Sequence, residues 1–390
     1  MKLKLLYLIT EDWFFCSHFI ERAIAARDAG YDVLVVAREQ AHGDRIRAAG
    51  LRLISIEFAR RRLHPLSELR LLLAIVRIYR QEKPDIVHHI AVKPILYGSV
   101  AARLTGVPAI VNAPVGMGYA FSSADRTARL LRPLLLLGYR LFLNPHGSRV
   151  IFENRDDLES FVASGAVRRT EAVLIRGAGV DLIRFRPKAE PTGLPVVVLI
   201  ARMLRDKGVV EFVEAARNVH DEGIQARFVL VGDPDLENPA SISIKTLETW
   251  HEQGDVEWWG WREDVAAVLA ETTIACLPSY REGLPKSLLE AAACGLPIIT
   301  TDAPGCREVV IEGDNGLLVP VRNVGALAEA LKKLILNSAL RQRMGGRSRD
   351  RAEKEFSSEQ VISETLVVYS QLLDSKLPKI AGKSVVRNEL

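Results

Sequence analysis

Apolar positions along the chain follow two periodicities that alternate. Short, nearly unbroken apolar runs occur at "KLLYLIT" (4–10), "DVLVVA" (32–37), "DIVHHI" (85–90), "AIVNAP" (109–114), "RVIFEN" (149–154), "AVLIRG" (172–177), "PVVVLIA" (195–201), "ARFVLVG" (226–232), "IACLPS" (274–279) and "PIITTD" (297–302). Between most of them lie stretches with helical spacing, such as "FIERAIAARDAG" (19–30) and "GVVEFVEAARNVHDEG" (208–223). A strand covered on both faces is apolar at almost every position, whereas a half-exposed strand alternates. Covered strands, each followed by a helix, predict parallel sheets with helices on both sides. The pattern begins afresh after "RPKAEPTGLP" (186–195), a Pro- and Gly-containing linker of low apolar content. The expected class is α/β, with two doubly wound Rossmann-like domains over residues 1–188 and 189–357. A helix over 358–376 can cross back to the first domain, and 377–390 reads as a frayed tail. Such domains bind ligands in the cleft facing the carboxyl ends of their strands.

Composition fits this picture. The chain of 390 residues is 48% apolar and 26% charged, which argues against disorder. The net charge of +4 is unevenly spread. Residues 1–190 carry 29 Lys+Arg against 19 Asp+Glu, net +10, which leaves 23 against 29, net −6, for the rest. A basic first half predicts an anionic partner, a membrane surface or a phosphorylated acceptor, or else a scattered arginine-rich surface. The segment 125–144 joins leucine-rich turns to Arg126, Arg129, Arg132 and Arg140, and "ARRRLH" (59–64) adds charge; both suit an anionic membrane interface. Nucleic acid is not an expected partner, and the oligomeric state is left open. Cys16, Cys276, Cys294 and Cys306 form no CxxC pair, so they read as buried thiols in a reducing compartment. The apolar run Leu5–Ile9 is too short for a signal peptide, and no run of 18 apolar residues exists. The expected location is cytoplasmic, with peripheral attachment to the inner face of the plasma membrane.

Candidate chemistry lies mostly in "YREGLPKSLLEAAACGLPIITTD" (280–302). From Leu288 to Cys294 the sole polar side chain is Glu290, on a helix that Pro285 would open at its first position and Gly295 would end. A carboxylate buried there costs several kcal/mol without a partner, in the chain or on a ligand. Gly283, Leu284, Pro285 and Lys286 form the helix entrance, which favours an anion, and Glu282 stands beside it. Arg202 and Lys207 follow a strand and suit a diphosphate, or a surface ion pair with Asp206 or Glu211. His88 and His89 end a buried-type strand, so one faces the cleft and the other does not; either is also compatible with a core role.

In combination, "AR…DKG", "EGLPKSLLEAAACGLPIITTDAPGCREVV", "DNGLLVP" and "GVDLIRFRP" resemble the retaining glycosyltransferases of family 4, which have the GT-B fold. The resemblance spans nearly the whole chain and is densest over 196–320. It implies an enzyme moving a sugar from a nucleotide-diphosphate donor, such as a UDP-sugar, to a glycan or polyprenyl-diphosphate-linked acceptor in surface polysaccharide synthesis. It assigns Glu282 to the donor sugar and catalysis, Glu290 to the ribose, and Arg202, Lys207 and residues 283–286 to the diphosphate. Gly232, Trp261 and Arg262 match the segments around the base. His88 takes the family's first cleft-histidine position, while Ile90 occupies the second; His89, Gly116 and Gly118 are weaker candidates for the acceptor cleft. Asp233 and Asp235 are not read as metal ligands because Arg202 and Lys207 supply the charge, so no metal or other cofactor is expected. The alternatives are a nucleotide-sugar-binding subunit without catalysis and a GT-B sugar-nucleotide epimerase.

Overall fold

The computed structural model describes residues 2–58, 65–115, 137–145 and 147–376. It forms the expected α/β arrangement of two parallel sheets. The first contains β1 (Lys4–Glu11), β2 (Asp32–Arg38), β3 (Arg52–Ser55), β4 (Ile86–Ile90), β5 (Ala109–Ala113), β6 (Ser148–Phe152) and β7 (Ala172–Leu174), in the order β3-β2-β1-β4-β5-β6-β7. The second contains β8 (Val196–Ile200), β9 (Arg227–Val231), β10 (Glu257–Trp258), β11 (Ile274–Leu277), β12 (Ile298–Thr301) and β13 (Gly316–Val319), in the order β10-β9-β8-β11-β12-β13. The central strands are buried on both faces, as their unbroken apolar runs require.

Strand order reverses between β1 and β4 in the first sheet and between β8 and β11 in the second. At such a switch point successive crossovers leave in opposite directions and open a crevice at the carboxyl ends. The loops after β1, β4, β8 and β11 therefore carry the residues that face a ligand.

The C-terminal helix Ser358–Lys376 packs on the first sheet. Val361, Val368, Tyr369, Leu372 and Leu373 are buried in one cluster with Leu5, Tyr7 and Ile9. The two chain crossings between domains are tied together, Val180 N donating to Phe356 O (2.8 Å) and Ser358 N to Val180 O (3.0 Å).

Three strands escape the apolar-run pattern. β3, β10 and β13 lie near or at sheet edges and are only two to four residues long; β3 and β10 contain no fully buried position. An edge strand covered on one side needs no continuous apolar run. Gly116, Gly118, Arg126, Arg129, Arg132, the 59–64 segment and the 377–390 tail lie outside the described residues.

Candidate active site

The second domain contributes a compact charged cluster at its switch point. A single 3-10 turn, Arg205–Lys207, follows β8 and ends in the left-handed Gly208. From it Lys207 Nζ reaches both oxygens of Glu282, at 2.6 and 2.7 Å. Glu282 lies on the loop after the neighbouring β11. The two loops are fastened together, since Tyr280 N (2.9 Å) and Ser279 Oγ (3.0 Å) both donate to Asp206 O. Glu282 N donates to Pro304 O at 3.0 Å. A side chain at Gly305 would put its Cβ 2.4 Å from Glu282 O, and φ there is +79°, so this approach requires glycine.

The helix Lys286–Ala293 begins one residue later than expected, with Pro285 as its N-cap and no side chain capping it. An uncapped helix entrance leaves amide donors for an anion. Gly295 adopts φ +72° and ends the helix as expected. Glu290 is 8% exposed, and burial raises its pKa despite the opposing charges of Lys286 and Arg184. Its carboxylate meets Lys286 Nζ at 3.7 Å, too far for a hydrogen bond. Lys286 Nζ is committed elsewhere, at 2.7 Å from Ser17 O across the domain boundary.

Arg202 is held by Asp235 at 2.7 Å and sits 5.8 Å from the Trp13 ring of the first domain. Around the expected base site, a Cβ at Gly232 would lie 1.9 Å from Ala201 O, so again only glycine fits. Trp258 Nε1 donates to Gly232 O (2.9 Å). Trp261 is 63% exposed, with its backbone N–H donating to Asp233 Oδ1 (3.0 Å), and the exposed Arg262 lies 6.0 Å from the Trp259 ring. Sequence reading placed Arg202, Lys207, Glu282 and the 283–286 entrance together, and they do share one end of the second sheet. Among the described residues, no group of three or more His, Cys, Asp or Glu is placed to hold a metal ion. All four cysteines are buried and form no disulfide.

The two histidines need correction. His88 is fully buried, with Nδ1 2.8 Å from the hydroxyl of Tyr369, which in turn meets that of Tyr7 at 2.9 Å. Burial, reinforced by Arg22 and His89, holds its pKa well below the usual histidine value. It joins the C-terminal helix to the sheet and presents no surface to a substrate. His89 points to the opposite face, also fully buried, with Tyr79 Oη (2.9 Å) and Asn112 Oδ1 (2.8 Å) on its two nitrogens. It therefore does not line an acceptor cleft.

Other first-domain residues occupy the cleft instead. The loop after β1 is a helix, Asp12–His18. His18 follows Ser17, the carbonyl partner of Lys286, and burial together with Lys286, Arg22 and Lys207 lowers its pKa to about 3. Its imidazole is thus neutral, and its Nδ1 has no partner among the described residues. Glu153, just after β6, is raised to about 7, chiefly by burial; Arg22 opposes the shift while Asp157 and Glu282 add to it. Asn154 bridges to Gly283 O at 2.8 Å. The sequence holds no local signal for these residues beyond the place of Glu153 and Asn154 at the end of the apolar run "RVIFEN", which names no chemistry.

Comparisons with known proteins agree with this geometry. Residues 182–351 match the family model for glycosyl transferases group 1, and residues 4–153 match that for glycosyl transferase 4-like domains. The chain is 30% identical over 330 residues to N,N'-diacetylbacillosaminyl-diphospho-undecaprenol alpha-1,3-N-acetylgalactosaminyltransferase of Campylobacter jejuni, covering 81% of this chain and 85% of the relative. It is 28% identical over 287 residues to UDP-Gal:alpha-D-GlcNAc-diphosphoundecaprenol alpha-1,3-galactosyltransferase of Escherichia coli, covering 70% and 72%. Among solved structures, HepE of Anabaena in complex with UDP and glucose superposes with a TM-score of 0.76 at 18% identity, covering 94% of this chain and 99% of that one. Sucrose-phosphate synthase of Thermosynechococcus elongatus superposes with a TM-score of 0.79 at 19% identity, covering 96% and 100%. Two facing Rossmann-like domains, a paired lysine and glutamate at the second switch point and these relatives lead to one conclusion: the chain is a glycosyltransferase of family 4 with the GT-B fold.

Proposed function

We propose that the enzyme transfers a sugar, with retention, from a UDP-sugar to a polyprenyl-diphosphate-linked acceptor in surface polysaccharide synthesis. The carrying observation is the Lys207–Glu282 pair beside the uncapped entrance of Lys286–Ala293. The lysine holds the carboxylate in place through both of its oxygens. A bound diphosphate would take Lys207, Arg202 and the amides of residues 283–286, releasing Glu282 to accept hydrogen bonds from the donor sugar. Glu290, whose contact with Lys286 is 3.7 Å, would gain ribose hydroxyls as donors. Gly232, Trp261 and Arg262 would surround the base.

The bond from the anomeric carbon to the diphosphate breaks as the acceptor oxygen bonds to the same face. The acceptor proton passes to the leaving phosphate oxygen, so no histidine base is required, which suits the burial of His88. Lys207 and Arg202 stabilise the charge growing on the diphosphate. The acceptor class is supported by the two relatives, both named for lipid-diphosphate substrates.

On the first domain, the helix Pro65–Glu82 exposes Leu66, Leu69 and Leu73 together with Arg70, Arg77 and Arg80. This face favours peripheral attachment to an anionic bilayer, where a lipid-linked acceptor resides. No helix among the described residues is long and apolar enough to cross a membrane.

A panel of nucleotide-sugars, scored first by thermal stabilisation and then by product formation on a short polyprenyl-diphosphate glycan, tests the proposal. Ligand at about 100 times its dissociation constant adds about 2.7 kcal/mol to stability. Stabilisation by a non-uridine nucleotide-sugar alone would overturn the donor class. Product of inverted anomeric configuration would overturn retention.

A further inference from the structure

We propose that Asn154, in the first domain, is a positioning residue that sets the donor-sugar carboxylate Glu282 from across the domain boundary. The inference rests on the assignment of Glu282 to the donor sugar.

Asn154 follows β6 and is fully buried. Both ends of its amide are used. Oδ1 accepts from Asp157 N at 2.8 Å and caps the helix Arg155–Ala163. Nδ2 donates to Asp157 Oδ2 at 2.9 Å and to Gly283 O at 2.8 Å, with Glu282 O at 3.5 Å. The amide therefore meets carbonyls of the second domain while starting a helix of the first.

Asp157 completes the fixture. Its carboxylate pairs with Arg281 across the same boundary, and the side chains are only 6% and 23% exposed. Arg281, Glu282 and Gly283 are consecutive. The residues on either side of Glu282 are thus gripped by Asp157 and Asn154, and Glu282 N is fixed to Pro304 O. With its backbone held at each neighbour, the Glu282 carboxylate has little freedom beyond its own rotamers, and it points to Lys207. The contacts exist only when the domains are together, so the carboxylate is set when the cleft is assembled.

Capping alone does not explain an asparagine here. Asn, Asp and Ser cap helices about equally well. Of these, only Asn also offers an amide donor reaching a carbonyl on another domain. That separation makes the test clean. Asn154→Ser keeps the cap and removes the long donor. Asn154→Asp keeps the cap but turns an acceptor toward both the Gly283 carbonyl and the Asp157 carboxylate.

The full-length enzyme is assayed with its best nucleotide-sugar and a polyprenyl-diphosphate glycan, alongside Glu282→Gln and the Asn154→Ser/Glu282→Gln double variant. Expected is a drop in kcat of about tenfold for N154S and more for N154D, with KM for the donor within about twofold, at an assay temperature where each variant is fully folded. In the Glu282→Gln background, N154S should cost less than about twofold further, because the group it positions is already altered. A wild-type kcat in N154S overturns the proposal. So does a multiplicative loss in the double variant, or activity that simply follows melting temperature across the set. If N154S fails to fold, Asn154→Thr, which also caps and lacks the amide donor, carries the same comparison. An E282Q enzyme with full activity would instead remove the role of Glu282 and is read separately.

Discussion

Lys207 Nζ sits 2.6 and 2.7 Å from the two carboxylate oxygens of Glu282, joining the loops that flank the switch point of the second sheet. The side chains are 19% and 12% exposed, so each charge depends on the other. Breaking a mostly buried pair from one side leaves an uncompensated charge. Lys207→Ala and Glu282→Ala should each lower kcat by about a hundredfold or more, because the diphosphate and the sugar lose their contacts. Lys207→Ala should also lower the melting temperature, and adding Glu282→Ala should recover part of that loss. Thermal unfolding of the two singles and the double checks this; a double variant less stable than Lys207→Ala would contradict it.

Glu290 predicts a different phenotype. Its pKa is raised by burial, so its ionised form costs stability in the empty enzyme. Glu290→Gln should leave the ligand-free protein as stable or more stable at neutral pH. It should weaken nucleotide binding by about tenfold or more if the carboxylate takes the ribose. Glu282→Ala should retain nucleotide affinity and lose turnover. Calorimetric titration with the free nucleotide distinguishes them, and equal losses of affinity would contradict the assigned roles.

Arg202 sits with its guanidinium on Asp235 and near Trp13, poised between the domains. Arg202→Ala should reduce activity by about a hundredfold. Asp235 and Asp233 already accept from Arg202 and from Trp261 N–H. Turnover is therefore expected to persist in EDTA. Abolition by chelator with recovery on adding manganese would show a metal-dependent donor site.

What the sequence revealed was whatever is local. Strand, loop and helix follow one another within about thirty residues in each unit, so the apolar runs exposed the architecture, and Lys207 and Glu282 could be placed on loops and Glu290 inside a helix. The histidines were misjudged because their surroundings come from far away. His88 is sealed by Tyr369, 281 positions downstream, and the side chain facing Glu282's loop, Asn154, is 129 positions from Gly283. A run such as "RVIFEN" says that its end reaches the cleft but not which residue will be met there. Edge strands were lost for the opposite reason: β10 is two residues long and half-buried, too little signal for any periodicity.

Glu153 predicts a pH dependence with a definite sign. Burial raises its folded-state pKa to about 7, above the ordinary carboxylate value, with Arg22 opposing and Asp157 and Glu282 adding. The folded protein then binds a proton more tightly than the unfolded chain. Glu153 contributes stability at low pH that is lost as pH rises from about 4.5 through about 7. Glu153→Gln should raise the melting temperature at pH 8 and change it little at pH 5. Unfolding curves of both proteins across that range decide it, and an equal shift at both pH values would show that the effect is not ionisation.

The last prediction concerns the membrane. At 100° per residue, Leu66, Leu69 and Leu73 fall with Arg70, Arg77 and Arg80 within an arc of about 100° on the helix Pro65–Glu82. The leucines are 58%, 52% and 58% exposed, while Leu71, Ile75, Val76 and Tyr79 on the other side are buried. Core packing thus accounts for one face and leaves the other apolar at its start and basic along its length. Leu137 and Leu141, both 53% exposed, add to the apolar surface of the same domain. An interfacial helix needs this combination: apolar side chains entering the headgroup boundary and cations worth about 1 kcal/mol each near anionic lipid. Wild-type protein should sediment with vesicles containing phosphatidylglycerol and much less with neutral vesicles, and binding should fall as salt rises. Changing Leu66, Leu69 and Leu73 to Ser should remove attachment at any salt, whereas changing Arg70, Arg77 and Arg80 to Gln should weaken it and flatten the salt dependence. Both triple variants should turn over a short water-soluble acceptor at the wild-type rate, because none of the six side chains contributes a contact to the Lys207–Glu282 cluster. Wild-type protein that ignores anionic vesicles at low salt would end the membrane claim and leave the transferase intact.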